Sequence, residues 1–172
     1  MDGIPRGEYM MNKRTRIIVS LGSLGIIALL LVLRSLGGTR ISPDAAIEIS
    51  LQRTPCFGSC PVYSVSVDGD GNVHYFGEYF VPVLGDQSSR ISRETVLQLI
   101  HAFERVDFFS LDTYYTNMNA TDMPSAIVTL SVDGVTKYVE HYYGDLSAPV
   151  KLTDLEAEID RLLNTAQWTA AQ

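Results

Sequence analysis

An uncharged run of 17 residues near the amino end divides the chain. It extends from Ile17 to Leu33 and is closed by Arg16 and Arg34. As a helix this run rises ~26 Å, close to the ~30 Å hydrocarbon core of a bilayer. We therefore predict a transmembrane anchor over residues 17–36, in which Leu36 and a snorkelling Arg34 extend the apolar run.

The charges that precede the anchor predict its orientation. Residues 1–16 hold four Lys or Arg against two acidic residues, so they form a predicted cytoplasmic basic segment. The rest of the chain is then extracytoplasmic, in the periplasm, and the protein is a single-pass component of the inner (plasma) membrane. A cleaved signal peptide is the alternative, for which Ser35-Leu36-Gly37 offers a site.

The part of the chain after the anchor is strongly acidic. Residues 41–172 carry seven Lys or Arg against eighteen Asp or Glu. Such a domain repels phosphate backbones, so nucleic acid is not an expected partner. Residues 37–46 are small, polar and interrupted by Gly and Pro, which is typical of a linker. Residues 47–168 contain no second linker and are enough for one hydrophobic core.

Five segments of this domain alternate apolar with polar residues, as half-buried strands do. They are IEISLQ (47–52), VYSVSV (62–67), NVHYFGEYFV (72–81), AIVTLSV (126–132) and VTKYVEHYY (135–143). The Gly- and Asp-rich segment 68–71 predicts a tight turn between the second and third strands, and Asp133-Gly134 predicts one between the last two.

Two further segments repeat their apolar residues at helical spacing. ISRETVLQLIHAFERV (91–106) begins with Ser92, a favourable N-cap, and SAPVKLTDLEAEIDRLL (147–163) follows the last strand. The predicted order is β-β-β-α-β-β-α. We expect an α+β fold in which an antiparallel sheet of about five strands has both helices on one face, preceded by the N-terminal transmembrane helix.

The chain has two cysteines, Cys56 and Cys60, in a loop that also contains Gly58. Outside the cytoplasm disulfides persist, and a glycine lets so short a loop bend until the two Cα atoms are within bonding range. We therefore predict a structural disulfide. A Cys–His nucleophile site remains an alternative, as does structural zinc, although zinc needs four ligands.

The cysteine segment also resembles known families. The run R-T-P-C-F-G-S-C-P-V-Y (53–63), followed by a G-D-G turn, resembles a bacterial family catalogued only as a domain of unknown function, number 6438 in its series. The resemblance extends over residues 47 to about 163, with S-R-E near 92, F-F-S-L at 108–111, T-D-M-P at 121–124 and A-P-x-x-L at 148–152. It implies no activity, cofactor or catalytic residue.

The motif C-x-x-x-C-P is similar to the cysteine motif of SCO-type copper chaperones. Thiolates suit Cu(I), and a histidine would supply a third ligand. The alternative metal site is therefore Cys56 and Cys60 with His74, while His101 and His141 are the other histidines available. In the thioredoxin-like fold of those chaperones the motif opens a helix, whereas here Pro61 leads into a predicted strand.

Paired aromatic residues are the remaining functional signal. Tyr114 with Tyr115 and Tyr142 with Tyr143 offer rigid contact area with a hydrogen-bonding tip, which suits a recognition surface. Tyrosine is also common in strands. No nucleophile-elbow, phosphate-loop, zinc-protease or dinucleotide-binding motif occurs in the sequence. We expect a binding module that contacts another envelope protein and needs no cofactor; enzymatic activity is not favoured, and a copper or thiol-redox protein is the alternative.

The charge asymmetry generates a topological prediction. Protease added to spheroplasts should digest residues 47–163 or release them from the membrane, because the domain lies on the outer side. Protection of the domain until the membrane is lysed would contradict this orientation.

Overall fold

The computed structural model describes residues 40–42 and 44–170. Within this part of the chain, seven strands form one sheet. They are β1 (Ile47–Arg53), β2 (Val62–Asp68), β3 (Asn72–Tyr79), β4 (Gly85–Arg90), β5 (Tyr114–Tyr115), β6 (Ser125–Val132) and β7 (Val135–Tyr142). The helices of the same part are α1 (Arg93–Arg105), α2 (Val150–Leu162), α3 (Ala166–Thr169) and a 3-10 turn (Phe108–Ser110).

The sheet is mixed. Its strand order is β4-β3-β2-β1-β6-β7-β5. Every neighbouring pair is antiparallel except β5 and β7, which are parallel. The chain thus builds one half of the sheet outwards from β1 to β4, crosses through α1, and builds the other half beside β1.

The predicted fold class is wrong in its strand count, its element order and its purely antiparallel sheet. The predicted strands are present, but β4, β5 and α3 were not foreseen. Strand β4 reads GDQSSR and has no apolar residue, so no alternation marks it; its pairing with β3 creates it. Strand β5 has two residues and α3 has four, both too short to show a period.

One face of the sheet carries the hydrophobic core. The inward residues of β1 are Ile47, Ile49 and Leu51, as its alternating sequence predicts. Helices α1 and α2 contact each other, and their buried residues join the same core as those of the sheet. Both helices therefore cover one face, which agrees with that part of the predicted arrangement.

Local capping follows the sequence closely. Ser92 is the N-cap of α1, and its Oγ accepts a hydrogen bond from the Thr95 backbone N–H at 3.1 Å. In the β2–β3 turn, Asp68 Oδ1 accepts hydrogen bonds from the backbone N–H groups of Asp70 and Asn72, both at 2.9 Å. Both observations confirm the predicted helix start and the predicted turn.

The carboxyl-terminal helix closes the core beneath β3. Trp168 of α3 is buried and stacks on the Tyr75 ring, with centroids 4.7 Å apart. The Trp168 carbonyl accepts a hydrogen bond from the Val83 N–H at 3.2 Å, which connects α3 to the β3–β4 loop. The ring and the backbone carbonyl of Trp168 therefore both hold the last element of the domain in place.

The predicted transmembrane span, residues 17–36, lies outside the described residues. Among residues 40–42 and 44–170 the helices are all too short or too polar to cross a membrane.

Two turn glycines give a paired test of backbone strain. Gly71 and Gly134 have φ of +83° and +81°, but only at Gly71 would a Cβ collide with the carbonyl oxygen of Ile91, because the space around Gly134 is open. We expect Gly134→Ala to lower the free energy of unfolding by about 1–2 kcal/mol, the usual cost of left-handed backbone. Gly71→Ala should lower the free energy of unfolding clearly more than Gly134→Ala does, as measured by urea denaturation. Equal losses would contradict the steric explanation.

Candidate functional site

Four inward-facing residues form a row across the sheet near its disulfide-loop end. Arg53 of β1 is paired with Tyr63 of β2 on one side and with Ala126 of β6 on the other, and Ala126 is paired with His141 of β7. Because Ala126 carries only a methyl group, it leaves room beside Arg53 for longer side chains. The row therefore brings a guanidinium, a phenol and an imidazole to one level of the sheet.

Helix α2 supplies two carboxylates to this level. Glu156 and Asp160 are four residues apart and share one face of the helix. Glu156 is fully buried; its Oε1 lies 2.8 Å from His141 Nδ1, and its Oε2 accepts a hydrogen bond from the Tyr143 hydroxyl at 2.7 Å. A buried carboxylate needs such partners, since an unpaired charge in the core is very costly.

Arg53 joins the two carboxylates. Its Nη2 donates to Asp160 Oδ2 at 2.7 Å, and its Nη1 donates to the Tyr143 hydroxyl and lies 3.9 Å from Glu156 Oε2. Asp160 Oδ1 also accepts from the hydroxyl groups of Tyr63 at 2.6 Å and Thr165 at 2.8 Å. We call Arg53, Tyr63, His141, Tyr143, Glu156, Asp160 and Thr165 the Arg53 network. In the described part of the chain no buried side-chain N or O atom lacks a hydrogen-bond partner.

The network keeps its phenols protonated. Burial, assisted by Asp160, raises the pKa of Tyr63 well above its ordinary value. Burial and the Glu156 charge do the same to the pKa of Tyr143. For Arg53, burial alone would lower the pKa, but the Asp160 carboxylate, through its charge and its hydrogen bond, outweighs burial and the pKa rises. These groups therefore act as hydrogen-bond donors and a fixed cation, which suits positioning rather than proton abstraction.

A cavity of about 300 Å³ lies beside the network, between the disulfide loop and α3. Its lining combines the Arg53 guanidinium and the phenols of Tyr63 and Tyr143 with loop residues and one residue of α3. The lining residues are Arg53, Cys60, Pro61, Tyr63, Pro124, Tyr143 and Thr169. A larger cavity of about 510 Å³ lies at the other end of the sheet, where Asp44, Glu48, Asp68 and Asp70 make it acidic.

The two cysteines are joined by a disulfide, with their Cα atoms 5.8 Å apart. Segment 54–61, which contains both cysteines, is held to its neighbours by backbone hydrogen bonds. Thr54 N–H donates to the Ser125 carbonyl at 2.9 Å, and Phe57 N–H donates to the Asp122 carbonyl at 3.2 Å. The geometry agrees with the predicted disulfide. Thiol alkylation without prior reduction should leave both cysteines unlabelled, and quantitative labelling would contradict the disulfide. Whether the bond is structural or redox-active stays a prediction.

The comparison with known families rests on the same region. A family described as a domain of unknown function (DUF6438) matches residues 47–163, more than half of the chain. The chain belongs to the DUF6438 family. This agrees with the resemblance carried by the cysteine segment. No curated protein matches the chain significantly.

The matched range of the DUF6438 domain contains both cysteines and every member of the Arg53 network except Thr165. It begins with β1 and ends directly after α2, so α3 and Trp168 lie beyond it. The network is therefore built almost entirely from the segment that defines the family in this chain.

The DUF6438 domain gathers exposed apolar side chains at one end of its sheet. There β1, β3 and β7 end and β2, β4 and β6 begin, so the connecting segments 54–61, 80–84, 116–124 and 143–149 meet; we call them the loop end. Eight of the large exposed hydrophobic residues in the described part lie on or directly beside these segments: Phe57, Tyr79, Phe80, Leu84, Met118, Met123, Leu146 and Val150. Single exposed apolar residues are ordinary, but a group at one site indicates a contact surface.

Two loop-end segments are fastened together by Asp145. Its carboxylate accepts hydrogen bonds from the Asn117 N–H at 2.8 Å and from the Ser147 hydroxyl at 2.6 Å. The Ser147 hydroxyl bond, with the backbone donors, lowers the pKa of Asp145 to about 2. The carboxylate therefore stays charged and holds segments 116–124 and 143–149 in place.

The four predicted recognition tyrosines do not share one surface. Tyr114 is exposed on β5, and its hydroxyl is hydrogen-bonded to that of Tyr138. The Tyr115 hydroxyl accepts from the Asp112 N–H at 3.2 Å. The Tyr142 hydroxyl donates to the Ala120 carbonyl at 3.0 Å, and Tyr143 belongs to the Arg53 network. Whether any of them contacts a partner stays a prediction.

The histidines considered for metal binding lie apart. His74 is exposed on β3, on the face of the sheet that the helices leave uncovered, because its neighbours Val73 and Tyr75 point into the core. His101 pairs with Glu104 on α1 at 3.0 Å, and His141 contacts Glu156. Across residues 40–42 and 44–170 no group of three potential metal ligands converges. The copper alternative stays a prediction.

Sequence reasoning missed Arg53, Tyr63, Glu156 and Asp160 as a unit. One signal was readable: Glu156 interrupts the apolar stripe of α2, standing between Leu155 and Ile159 on the buried face. An acidic residue on that face requires a buried partner. The sequence does not show which strand provides the partner, because Arg53 and Asp160 are 107 residues apart.

Removing the cation tests the network. We expect Arg53→Met to lower the free energy of unfolding of the full chain in detergent by about 3 kcal/mol, since it leaves two carboxylates without their buried counter-charge. The matched control is Glu158→Gln, which removes a surface partner of Arg105 and should cost at most about 1 kcal/mol. Equal, small effects in urea denaturation would show that the network contributes little.

Proposed function

We propose that this chain is an extracytoplasmic binding module, tethered to the inner (plasma) membrane by its N-terminal apolar segment, whose loop end docks on another envelope protein. The observation that carries the proposal is the group of exposed apolar side chains at the loop end. Phe57 is 89% exposed and Phe80 is 60% exposed, so both rings stand in solvent on the isolated domain. Phe is among the aromatic residues that are enriched at protein–protein interfaces.

The backbone at Phe80 supports the same conclusion. Phe80 has φ of 54°, in the left-handed region that a bulky residue rarely adopts. Strain of this kind costs about 1–3 kcal/mol and is often found at binding sites. A side chain that is 60% exposed gains little packing energy to offset this strain within the domain, so a contact outside the domain is the simplest explanation.

The charges of the loop end define the partner's chemistry. Its four segments contain no Lys or Arg, and they contain Asp122 and Asp145. A complementary surface is an apolar patch bordered by Lys or Arg. We therefore propose a protein partner with such a patch, and an acidic or anionic lipid surface does not fit.

The domain holds its loop end rigidly. The Cys56–Cys60 disulfide closes segment 54–61 on itself, and the Arg53 network holds Tyr143 of segment 143–149 against α2. The Asp145 carboxylate joins segments 116–124 and 143–149. A preorganised surface loses less conformational entropy on binding, so more of the contact energy becomes affinity.

The described end of the predicted linker joins the sheet away from this surface. The chain reaches the sheet at Ile47, the start of β1, and the loop end begins after Arg53, where β1 finishes. Seven residues of strand separate the two ends by ~20 Å. The predicted linker, residues 37–46, therefore meets the domain away from the loop end, while the anchor would raise the local concentration of the domain near membrane partners.

Substitution at the loop end tests the proposal in intact cells. The full chain carrying Phe57→Ser and Phe80→Asn is crosslinked with formaldehyde, and captured proteins are identified by mass spectrometry. We expect capture of an extracytoplasmic partner to fall roughly tenfold relative to the unsubstituted chain. Asn tolerates positive φ, so Phe80→Asn should not destabilise the fold.

The matched control is Val135→Ser, which removes an apolar residue that is 65% exposed at the opposite end of the sheet, where β7 begins. This control should capture the partner as well as the unsubstituted chain does. Capture that is unaffected by the Phe57 and Phe80 changes, or lost equally in the control, would contradict docking at the loop end.

A further inference from the structure

Strand β4 leaves one edge of the sheet exposed for pairing. It is the terminal strand in the sheet order, and among the described residues no strand lies beyond it. At six residues, β4 is three times as long as β5 at the opposite edge. A strand edge of this length offers a row of backbone N–H and C=O groups to another strand.

The hydrogen bonds of the β3–β4 ladder identify which residues face outwards. The Ile91 N–H donates to the Gly71 carbonyl at 2.9 Å, so residues 71 and 91 form a hydrogen-bonded pair. In an antiparallel ladder such pairs alternate with non-hydrogen-bonded ones. Gln87 and Ser89 therefore bond to β3, while the backbone groups of Asp86, Ser88 and Arg90 point away from the sheet.

The side chains of the residues whose backbone groups point away from the sheet are complementary between two copies of β4. Asp86, Ser88 and Arg90 are all exposed, and they lie on the face that the helices leave uncovered. If two copies of β4 run antiparallel and are centred on Ser88, Asp86 of each copy lies opposite Arg90 of the other. Every outward backbone group of the strand then has a partner, since each hydrogen-bonded pair exchanges two bonds.

Other registers are disfavoured by charge. Centring on Asp86 places two carboxylates opposite each other, and centring on Arg90 places two guanidinium groups opposite each other. Intermediate registers pair a charge with Ser88. Opposite charges across an antiparallel pair stabilise it and like charges destabilise it, so one register is selected.

We propose that this protein forms a homodimer in which the β4 strands of two copies pair antiparallel, centred on Ser88, with reciprocal Asp86–Arg90 ion pairs. The two-fold axis runs perpendicular to the sheet, so one continuous sheet crosses both copies and the helices of both lie on one side. The two loop ends point in opposite directions and stay accessible.

Charge reversal tests the register. The full chain is purified in detergent micelles, and the protein mass is measured by light scattering over a range of concentrations. We expect Asp86→Arg or Arg90→Asp alone to weaken dimerisation roughly tenfold or more, because each creates like-charge pairs at both ends of the interface. The double variant D86R/R90D should restore it. Thermal unfolding of each variant confirms that the domain remains folded.

A cysteine pair gives an independent distance test. In the proposed register the two Ser88 Cα atoms are ~5.5 Å apart, within disulfide range. Oxidation of the full chain carrying Ser88→Cys should give a covalent dimer. His74 is paired with Ser88 one strand further inside, so two His74 positions lie ~14 Å apart and His74→Cys should stay monomeric under the same oxidation.

Three results would overturn the proposal. One is a monomer at every concentration, in which case Asp86 and Arg90 only protect the edge from pairing. Another is a dimer that single charge reversals leave unchanged, which assigns dimerisation to another part of the chain. The third is equal crosslinking of Ser88→Cys and His74→Cys, which indicates random collision.

Discussion

The ion pair between Arg53 and Asp160 connects the sheet to the helix that covers it. Arg53 is the last residue of β1, the central strand, and Asp160 lies near the end of α2. Because Glu156 is fully buried one helical turn earlier, α2 has to present both carboxylates to the sheet, and only one rotation of the helix does so. A buried charge of this kind adds little net stability compared with an apolar contact, but it makes misaligned packing costly. The register of α2 on the sheet, and with it the wall of the neighbouring cavity, follows from this requirement.

The sequence predicted those elements whose residues carry their own periodic signal. The alternation of β1, β2, β3, β6 and β7 and the capped, amphipathic α1 were readable because burial selects residues one by one along each element. Strand β4 was not readable, since its six residues are polar and its structure comes from hydrogen bonds to β3. The same reason applies to the candidate site. Arg53, Tyr63 and Asp160 become neighbours only through strand register and helix docking, which are properties of the assembled fold. The cysteine pair is the opposite case, because two residues four positions apart need no tertiary information to be recognised as partners.

The sheet offers two kinds of surface that do not compete. The loop end presents side chains, and its chemistry is apolar with acidic neighbours. The β4 edge presents backbone groups, and its specificity comes from two charges placed symmetrically about Ser88. Strand direction separates them, since the loop end lies at the termini of the strands and β4 lies at the side of the sheet. A protein that used both would pair with a second copy through the β4 edge and bind another protein through the loop end. A substitution that weakens one of these contacts would leave the other intact.

The position of Trp168 has a practical consequence for defining this domain. The segment shared with the family ends at residue 163, yet Trp168 comes five residues later. Its indole stacks on Tyr75, and its backbone carbonyl accepts a hydrogen bond from the β3–β4 loop. A fragment trimmed to the family boundary would therefore bare one side of a buried tyrosine and expose apolar surface beneath β3. We expect such a fragment to aggregate during expression more readily than the intact chain. The range matched by the family and the segment needed to close the hydrophobic core therefore differ by one short helix, α3.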